Sequence, residues 1–240
     1  MKSISIVIPV HNESENIGGL ISCIRESMTA MGMDFELVVV DDGSQDNTAE
    51  VLKQIRADLP MLRILQHRMN CGQSTAIHTG VCAARGDIIV TLDGDGQNDP
   101  ADIPEIVFRL KAGADENLQL VTGYRRKRRD RLWRRISSRV ANGARRLILK
   151  DATPDTGCGL KAFYRETFLA LPFFDHMHRF LPALIQGLGG RVVSIEVNHL
   201  PRQHGLSHYG TWDRLWVGIV DLFGVAWIKK RMKTVEVEEI

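Results

Sequence analysis

Apolar residues follow two rhythms along the first half of the chain. Short continuous runs, ISIVIPV at 4–10 and FELVVV at 35–40, are rich in β-branched residues and show no polar alternation. Strands buried on both faces of a parallel sheet read this way. Between such runs the apolar residues recur every three or four positions, the period of a helix with one buried side. The pattern predicts strands at 4–10, 35–40, 62–66, 87–92 and 118–122. Helices are expected over 14–31, with Asn12 as cap, over 47–57, and within 72–84 after a loop. From about residue 152 the alternation fails, and the rest is expected to add mixed helix, strand and loop to the sheet. Repeated strand–helix units joined by right-handed crossovers give an open α/β sheet with helices on both faces.

In such sheets ligands bind beyond the carboxyl ends of the strands. Polar motifs collect there: His11-Asn12-Glu13 after the first strand, Asp41-Asp42-Gly43-Ser44 after the second, Asp93-Gly94-Asp95-Gly96-Gln97 after the fourth. Asp93 and Asp95 offer hard oxygen ligands of the kind Mg²⁺ or Mn²⁺ takes while holding a diphosphate. Gly94 and Gly96 would let phosphate oxygens approach the backbone; the competing reading is a polar turn. Asp41-Asp42 either ends a strand and caps the next helix or accepts a hydrogen bond from a nucleobase or ribose. Asn12 and Glu13 either cap a helix or face a ligand. No GxGxxG follows the first strand, and GxxxxGK[ST] is absent.

Composition narrows the class. With 240 residues, 44% hydrophobic and 25% charged, the chain suits one α/β domain and excludes a disordered or collagen-like protein. The net charge of +2 hides a segregation: residues 125–150 hold twelve of the 31 basic side chains and one acid, Asp130. One basic face on an acidic body suggests one anionic partner at one place. Trp133 is the stretch's lone aromatic, so no series of aromatics interleaves the basic residues, and no recognition motif is present, which argues against nucleic acid. Anionic lipid headgroups fit it, and a solvated helix face accounts for most of its arginines. Cys23, Cys71, Cys82 and Cys158 form no CxxC pair and are expected as buried small apolar residues of a reduced, cytosolic protein. Residues 169–174 are expected in the core. His176 and His178 alternate as metal ligands do, but no third ligand is apparent. No signal peptide and no run of about 18 apolar residues is seen, so no spanning helix is expected.

VIPVHNE, VVVDDGS and TLDGDGQNDP, in this order and spacing, resemble the nucleotide-sugar-binding half of family 2 glycosyltransferases with the GT-A fold. The nearer resemblance is to polyprenyl-phosphate glycosyltransferases, the dolichyl-phosphate mannose synthases and bacterial undecaprenyl-phosphate sugar transferases. It continues through Asn70-Cys71-Gly72-Gln73-Ser74, Gly123-Tyr124-Arg125, DTGCGLK at 155–161 and RQHGLSHY at 202–209, covering about residues 1–210. The resemblance implies that Pro9, His11, Glu13, Asp41, Asp42 and Gln73 line the nucleotide sugar. Asp93, Asp95 and Gln97 would hold Mg²⁺ or Mn²⁺ and the donor diphosphate. Arg125, Arg134 and Ser138 would take the acceptor phosphate; the last two share a face if 132–148 is helical. Arg202 and His208 would close over the reacting phosphates, completing a catalytic set with Asp93 and Asp95. Three positions depart from the common pattern: His11 stands for Tyr, Gln73 for Lys, and His208 for Lys, so the charge at 208 depends on its neighbours.

The implied activity is inverting, metal-dependent transfer of a hexose-type sugar from a nucleoside diphosphate to a polyprenyl phosphate, at the cytoplasmic face of a membrane. Two rivals stand beside it. Transfer to a saccharide hydroxyl would need a carboxylate base near the acceptor, and a non-catalytic nucleotide-sugar- or RNA-binding protein would need none of this chemistry. Beyond a catalytic unit at 1–210, residues 211–240 are expected as an amphipathic docking helix and tail. Asp213, Arg214 and Asp221 interrupt its apolar run, while Trp212, Leu215, Trp216, Ile219, Leu222, Phe223 and Ala226 sweep one broad side. With Lys229-Lys230-Arg231 behind them, that side suits a membrane surface. The alternative is packing on the catalytic core or on a membrane-embedded partner.

Overall fold

The computed structural model describes residues 3–125, 143, 145–151, 153–201, 211–233 and 238, and of 211–217 the backbone alone. Arg134, Ser138, Arg202, His208 and most of the expected 132–148 helix lie outside the described residues. Strands β1 (Ile4–Val10), β2 (Phe35–Asp41), β3 (Leu62–Gln66), β4 (Ile88–Thr91), β5 (Leu118–Tyr124), β6 (Lys161–Tyr164) and β7 (Arg191–Glu196) form one sheet in the order β3-β2-β1-β4-β6-β5-β7. All seven residues of β1 are buried, as a central strand covered on both faces requires. β1 pairs in parallel with β2 on one side and β4 on the other. Strand order therefore reverses beside β1, and the crevice beyond its carboxyl end is where such sheets bind ligands.

Helices α1 (Ile17–Met31), α2 (Thr48–Asp58), α3 (Gln73–Ala83), α4 (Ile103–Ala112), α5 (Arg165–Leu169), α6 (Leu181–Gly187) and α7 (Thr211–Arg231) cover the sheet. Ile4, Ile6 and Ile8 of β1 point into one core layer, with Ile17, Ile24, Leu52, Ile106 and Leu110 from α1, α2 and α4. Val7 points into the other, with Ala76, Val81, Phe168, Leu184 and Val225 from α3, α5, α6 and α7.

Four expectations need correction. Asn12 does not cap a helix: it sits at φ 57°, and α1 starts only at Ile17. Its backbone N–H donates to Ser44 Oγ at 2.9 Å and its Oδ1 accepts from the Gln45 N–H at 2.8 Å, so it knits two loops. Cys158 is buried, but Cys23, Cys71 and Cys82 are exposed, because they fall on outer helix positions and in a loop. Within 169–174 only Leu171 is fully buried; Leu169 and Phe173 face outward where the short α5 ends and the chain turns. Past residue 152 the irregular reading reflects β6, which inserts antiparallel between β4 and β5.

The fourth correction concerns α7. Leu222 and Val225 are 9% and 1% exposed and pack into the second core layer, whereas Val220, Phe223 and Trp227 are 67%, 62% and 64% exposed. Leu222 thus belongs to the core side of the helix and not with Phe223. Asp221 takes the flank, where its Oδ2 lies 3.0 Å from His176 Nδ1. Among the described residues no helix is long and apolar enough to cross a membrane.

Candidate active site

Two clefts open beyond the strand ends. The first, about 700 Å³, is lined by His11 after β1, Gly43 and Ser44 after β2, and His67, Arg68 and Asn70 after β3. His11 is fixed by donating from Nδ1 to the Asp42 carbonyl at 2.9 Å. Pro9 is buried inside β1 opposite Val40, one step below the rim. Glu13 accepts from Asn16 Nδ2 at 2.6 Å and, through its carbonyl, from Ile17 N, so it opens α1 at the cleft edge.

Asp41 and Asp42 are both buried, and their oxygens are spent on the loops that make the cleft. Asp41 accepts from Ser44 N at 3.0 Å and from Gln66 Nε2 at 3.0 Å. Asp42 accepts from Cys71 N and Gly72 N, each at 2.8 Å, and lies 2.7 Å from His67 Nδ1, whose Nε2 reaches Thr79 Oγ1 at 3.0 Å. Gly43, at φ 68°, lies against the Met69–Asn70 backbone, where a Cβ would come within 2.5 Å of Met69 C. Only glycine fits that crossing. The two carboxylates therefore shape the cleft by holding the 66–72 chain down.

The second cleft, about 330 Å³, centres on Asp93 just past β4, with Gln73, Arg125, Lys161, His178 and Arg179 around it. Gln73, at the first turn of α3, donates to Asp93 Oδ1 at 2.7 Å. The Asp93 carboxyl is raised to about 6, by burial first and then by the charge of Asp95; Lys161, Arg125 and the Gln73 hydrogen bond pull it back. Asn98 holds the turn by accepting from Asp93 N at 3.0 Å, and Asp95 accepts from Gln97 N at 3.1 Å. Leu200 N donates to Gln97 O at 2.9 Å, which holds residue 200 beside the acidic loop.

This donor set fits a divalent cation. Asp93 and Asp95 are hard oxygen ligands one residue apart, and mutual repulsion already raises Asp93, which a cation would relieve. The Gly159 backbone presses on the Asp93 carboxyl so closely that a Cβ there would lie 2.4 Å from Asp93 Cγ. The loop is shaped around that carboxylate.

Arg125 lies at the end of β5 and is gripped by Asp155, Nε to Oδ2 at 2.7 Å and Nη2 to Oδ1 at 3.0 Å. Lys161 is buried; burial lowers its pKa, offset by Cys158, Asp93 and Asp155, and its Nζ donates to the Cys158 carbonyl. His178 pairs with Ser74 Oγ at 2.6 Å and is pushed well below the usual histidine range, by burial first and then by Lys161 and Arg179. The structure thus brings Gln73, Asp93 and Arg125 together in one cleft, with Asp95 and Gln97 on the adjoining turn, and His11 in the other. Lys161, Asn98, Gly159, His178 and Arg179 had no assigned role in the sequence reading. An Asp-x-x-x-x-Asn spacing and a histidine–arginine pair after an apolar run were the available signals.

The model of "Glycosyl transferase family 2" matches residues 5–171. The chain belongs to that family. As a family 2 glycosyltransferase it has curated relatives that include a dodecaprenyl-phosphate galacturonate synthase from Rhizobium johnstonii, 36% identical over 92% of this chain and 66% of that protein. An undecaprenyl-phosphate 4-deoxy-4-formamido-L-arabinose transferase from Edwardsiella ictaluri is 35% identical over 86% of this chain and 63% of its own length. The chain therefore spans somewhat less than two thirds of these relatives. In fold, this glycosyltransferase matches glucosyl-3-phosphoglycerate synthase from Mycobacterium tuberculosis, solved with Mn²⁺, UDP and phosphoglyceric acid, at TM-score 0.68 and 23% identity over 97% of this chain and 80% of that one. A mannosyltransferase from Pyrobaculum calidifontis with GDP-Man and Mn²⁺ matches at TM-score 0.66 and 21% identity, over 97% and 65%. The sheet and its helices are the GT-A architecture.

Proposed function

We propose that this glycosyltransferase moves a sugar from a nucleoside diphosphate to the phosphate of a polyprenyl carrier, with inversion at the anomeric carbon. One observation carries the acceptor: among the described residues the second cleft is lined by Arg125, Lys161 and Arg179 but by a single carboxylate, Asp93, which the acidic loop claims for the donor. Asp155 beside it is committed to Arg125. A hydroxyl acceptor would need a carboxylate to take its proton. A phosphate monoester, with its second pKa near about 6, is already largely dianionic at neutral pH and needs cations instead. The names of both curated relatives above pair a polyprenyl phosphate with a sugar, which supports the same reading.

The residues divide the work. The 67–70 loop and His11 seat the nucleoside, the 94–97 backbone faces the diphosphate end, and Asp93 and Asp95 would hold Mg²⁺ or Mn²⁺ there. Such a cation, when bound, offsets the negative charge of the leaving diphosphate. Gln73 keeps Asp93 oriented. The acceptor phosphate oxygen attacks the anomeric carbon, the bond to the diphosphate breaks, and the nucleoside diphosphate departs with the electron pair. No proton needs to move, so catalysis is positioning and charge stabilisation. Arg134, Ser138, Arg202 and His208 belong to this scheme by resemblance.

The acceptor's phosphate lies at headgroup depth, and α7 supplies a way to hold the cleft there. Val220, Phe223 and Trp227 form an exposed apolar stripe opposite its core side, with Arg231 5.8 Å from the Trp227 ring centre and Lys230 beside it. That face suits an anionic lipid surface, on the cytoplasmic side where nucleotide sugars are available. A coupled assay of nucleoside diphosphate release tests the acceptor. With a panel of UDP- and GDP-sugars and Mn²⁺, release should depend on a short prenyl phosphate and not on the matching prenol. Release driven by prenol or a saccharide would overturn the phosphate acceptor.

A further inference from the structure

Arg179 is the residue of the second cleft whose charge the described structure leaves unanswered. It ends a short turn of 3₁₀ helix, Met177–Arg179, and is half-buried in the cleft wall. The turn is firmly built. Met177 and Phe180 are buried in the second core layer, Arg179 N donates to His176 O at 3.1 Å, and Ser74 Oγ pairs with His178 on the first turn of α3. Yet among the described residues no carboxylate pairs with the Arg179 guanidinium. Arg125 differs: two of its donors are held by Asp155. Lys161 differs too, since its Nζ is spent partly on the Cys158 carbonyl.

We propose that Arg179 is a ligand of the attacking phosphate of the acceptor, the pocket's free fork, while Arg125 acts as a braced neighbour. This rests on the phosphate-acceptor reading above. The charge balance points the same way. The donor diphosphate would be met by the divalent cation that Asp93 and Asp95 fit, whereas a phosphate monoester enters with two negative charges and nothing to meet them except the cleft's cationic side chains. A guanidinium binds phosphate through two parallel N–H donors, which fixes the direction of the attacking oxygen as well as its charge. His178 beside it is held well below the usual histidine range by burial first and then by Lys161 and Arg179, while the Arg179 guanidinium keeps its charge at any relevant pH.

The donor's own phosphates share this chemistry, and the test separates the two. Binding of a short-chain prenyl monophosphate to the full chain is measured by calorimetry in detergent, beside the matching prenol and beside UDP and GDP with Mn²⁺. Arg179→Gln should weaken prenyl phosphate by about tenfold or more, the usual cost of a charge-assisted pair, and Arg179→Lys should recover only part of it. Nucleotide binding should stay within about twofold of wild type, which also reports that the variant is folded. Unchanged prenyl-phosphate affinity in Arg179→Gln would overturn the proposal, as would a loss confined to the nucleotides. A wild-type protein that binds no prenyl phosphate at all would sink the acceptor reading itself, before Arg179 is in question.

Discussion

Asp93 is held in place by what its neighbours lack. Gly159 has no side chain, so its backbone can lie against the Asp93 carboxyl, while Thr91 Oγ1 donates to the Gly159 carbonyl at 2.8 Å and fixes that approach. Gly159→Ala should push the carboxyl out of position and lower Mn²⁺-dependent nucleotide binding by about tenfold or more, by the loss of one well-placed charged ligand. Calorimetry with and without Mn²⁺ checks this, and equal nucleotide binding in both proteins would contradict it. Asp95→Ala should keep the fold and cut transfer by about a hundredfold or more, the usual effect of losing an electrostatic stabiliser. EDTA should silence the wild type, and Mg²⁺ or Mn²⁺ should restore it. The turn at Asp93, Asp95 and Gln97 stood out in the sequence because two carboxylates and two glycines after a β-branched run have few structural uses, and it lies at the second cleft. Asp42 was legible as important but not in its role, since nothing local shows that its oxygens would meet the Cys71 and Gly72 amides. Arg179 was not legible, because its meaning depends on which other arginine has found a carboxylate.

Elements were read best where a single physical period governs them. The boundaries of β1 and β3 match the sequence expectation, and those of β2, β4 and β5 lie within two residues of it, because β-branched apolar runs dominate β1, β2 and β4 and few polar residues interrupt any of them. Helix α4 carries Ile103, Ile106, Val107 and Leu110 at helical spacing but was not singled out, and β6 is four residues, too few for a pattern. The sheet's open end shows how elements are tied without apolar contact. Glu36, at the start of β2, accepts from Ser5 Oγ of β1 and Arg85 N at 2.6 Å each, and from Arg63 Nη1 of β3 at 2.8 Å. Burial pushes its carboxyl up, but these donors outweigh it and hold the pKa below the ordinary 4.5. A lowered pKa in the folded state means stability that is present above the unfolded value and lost as pH falls through the folded one. Glu36→Gln should cost about 1.5–3 kcal/mol near pH 7, the range for hydrogen bonds to a charged group. In urea unfolding the gap between the two proteins should narrow as pH drops below 4.5. A gap independent of pH would show that the charge of Glu36 contributes nothing.

At the scale of the molecule, α7 has one side in the core and an exposed apolar side away from it. Leu222 and Val225 close the second core layer, and Lys229 Nζ donates to the Leu149 carbonyl at 2.7 Å, so the helix is part of the fold. Its apolar residues all round the helix left both membrane docking and packing on the core open in the sequence, because periodicity alone did not show which apolar side faces the core. A truncation before α7 would uncover that layer and confuse anchoring with unfolding. Replacing Val220, Phe223 and Trp227 together by Ser is the cleaner change: cosedimentation with anionic liposomes should fall severalfold, since about 25 cal/mol is lost per Å² of apolar surface no longer buried in lipid. Nucleotide binding should be unaffected. Undiminished cosedimentation would mean that another surface, such as the basic 125–150 stretch, carries the attachment.

The most direct test of the whole account is the intact mass of the lipid product. The protein is incubated with a short prenyl phosphate, Mn²⁺ and each of a panel of UDP- and GDP-sugars, and the lipid fraction is weighed by mass spectrometry. The account predicts, for at least one donor, a prenyl monophosphate bearing one sugar and a single phosphorus, formed in step with release of the nucleoside diphosphate. A lipid that keeps two phosphates, or a panel in which sugar reaches only hydroxyl acceptors or water, would contradict it.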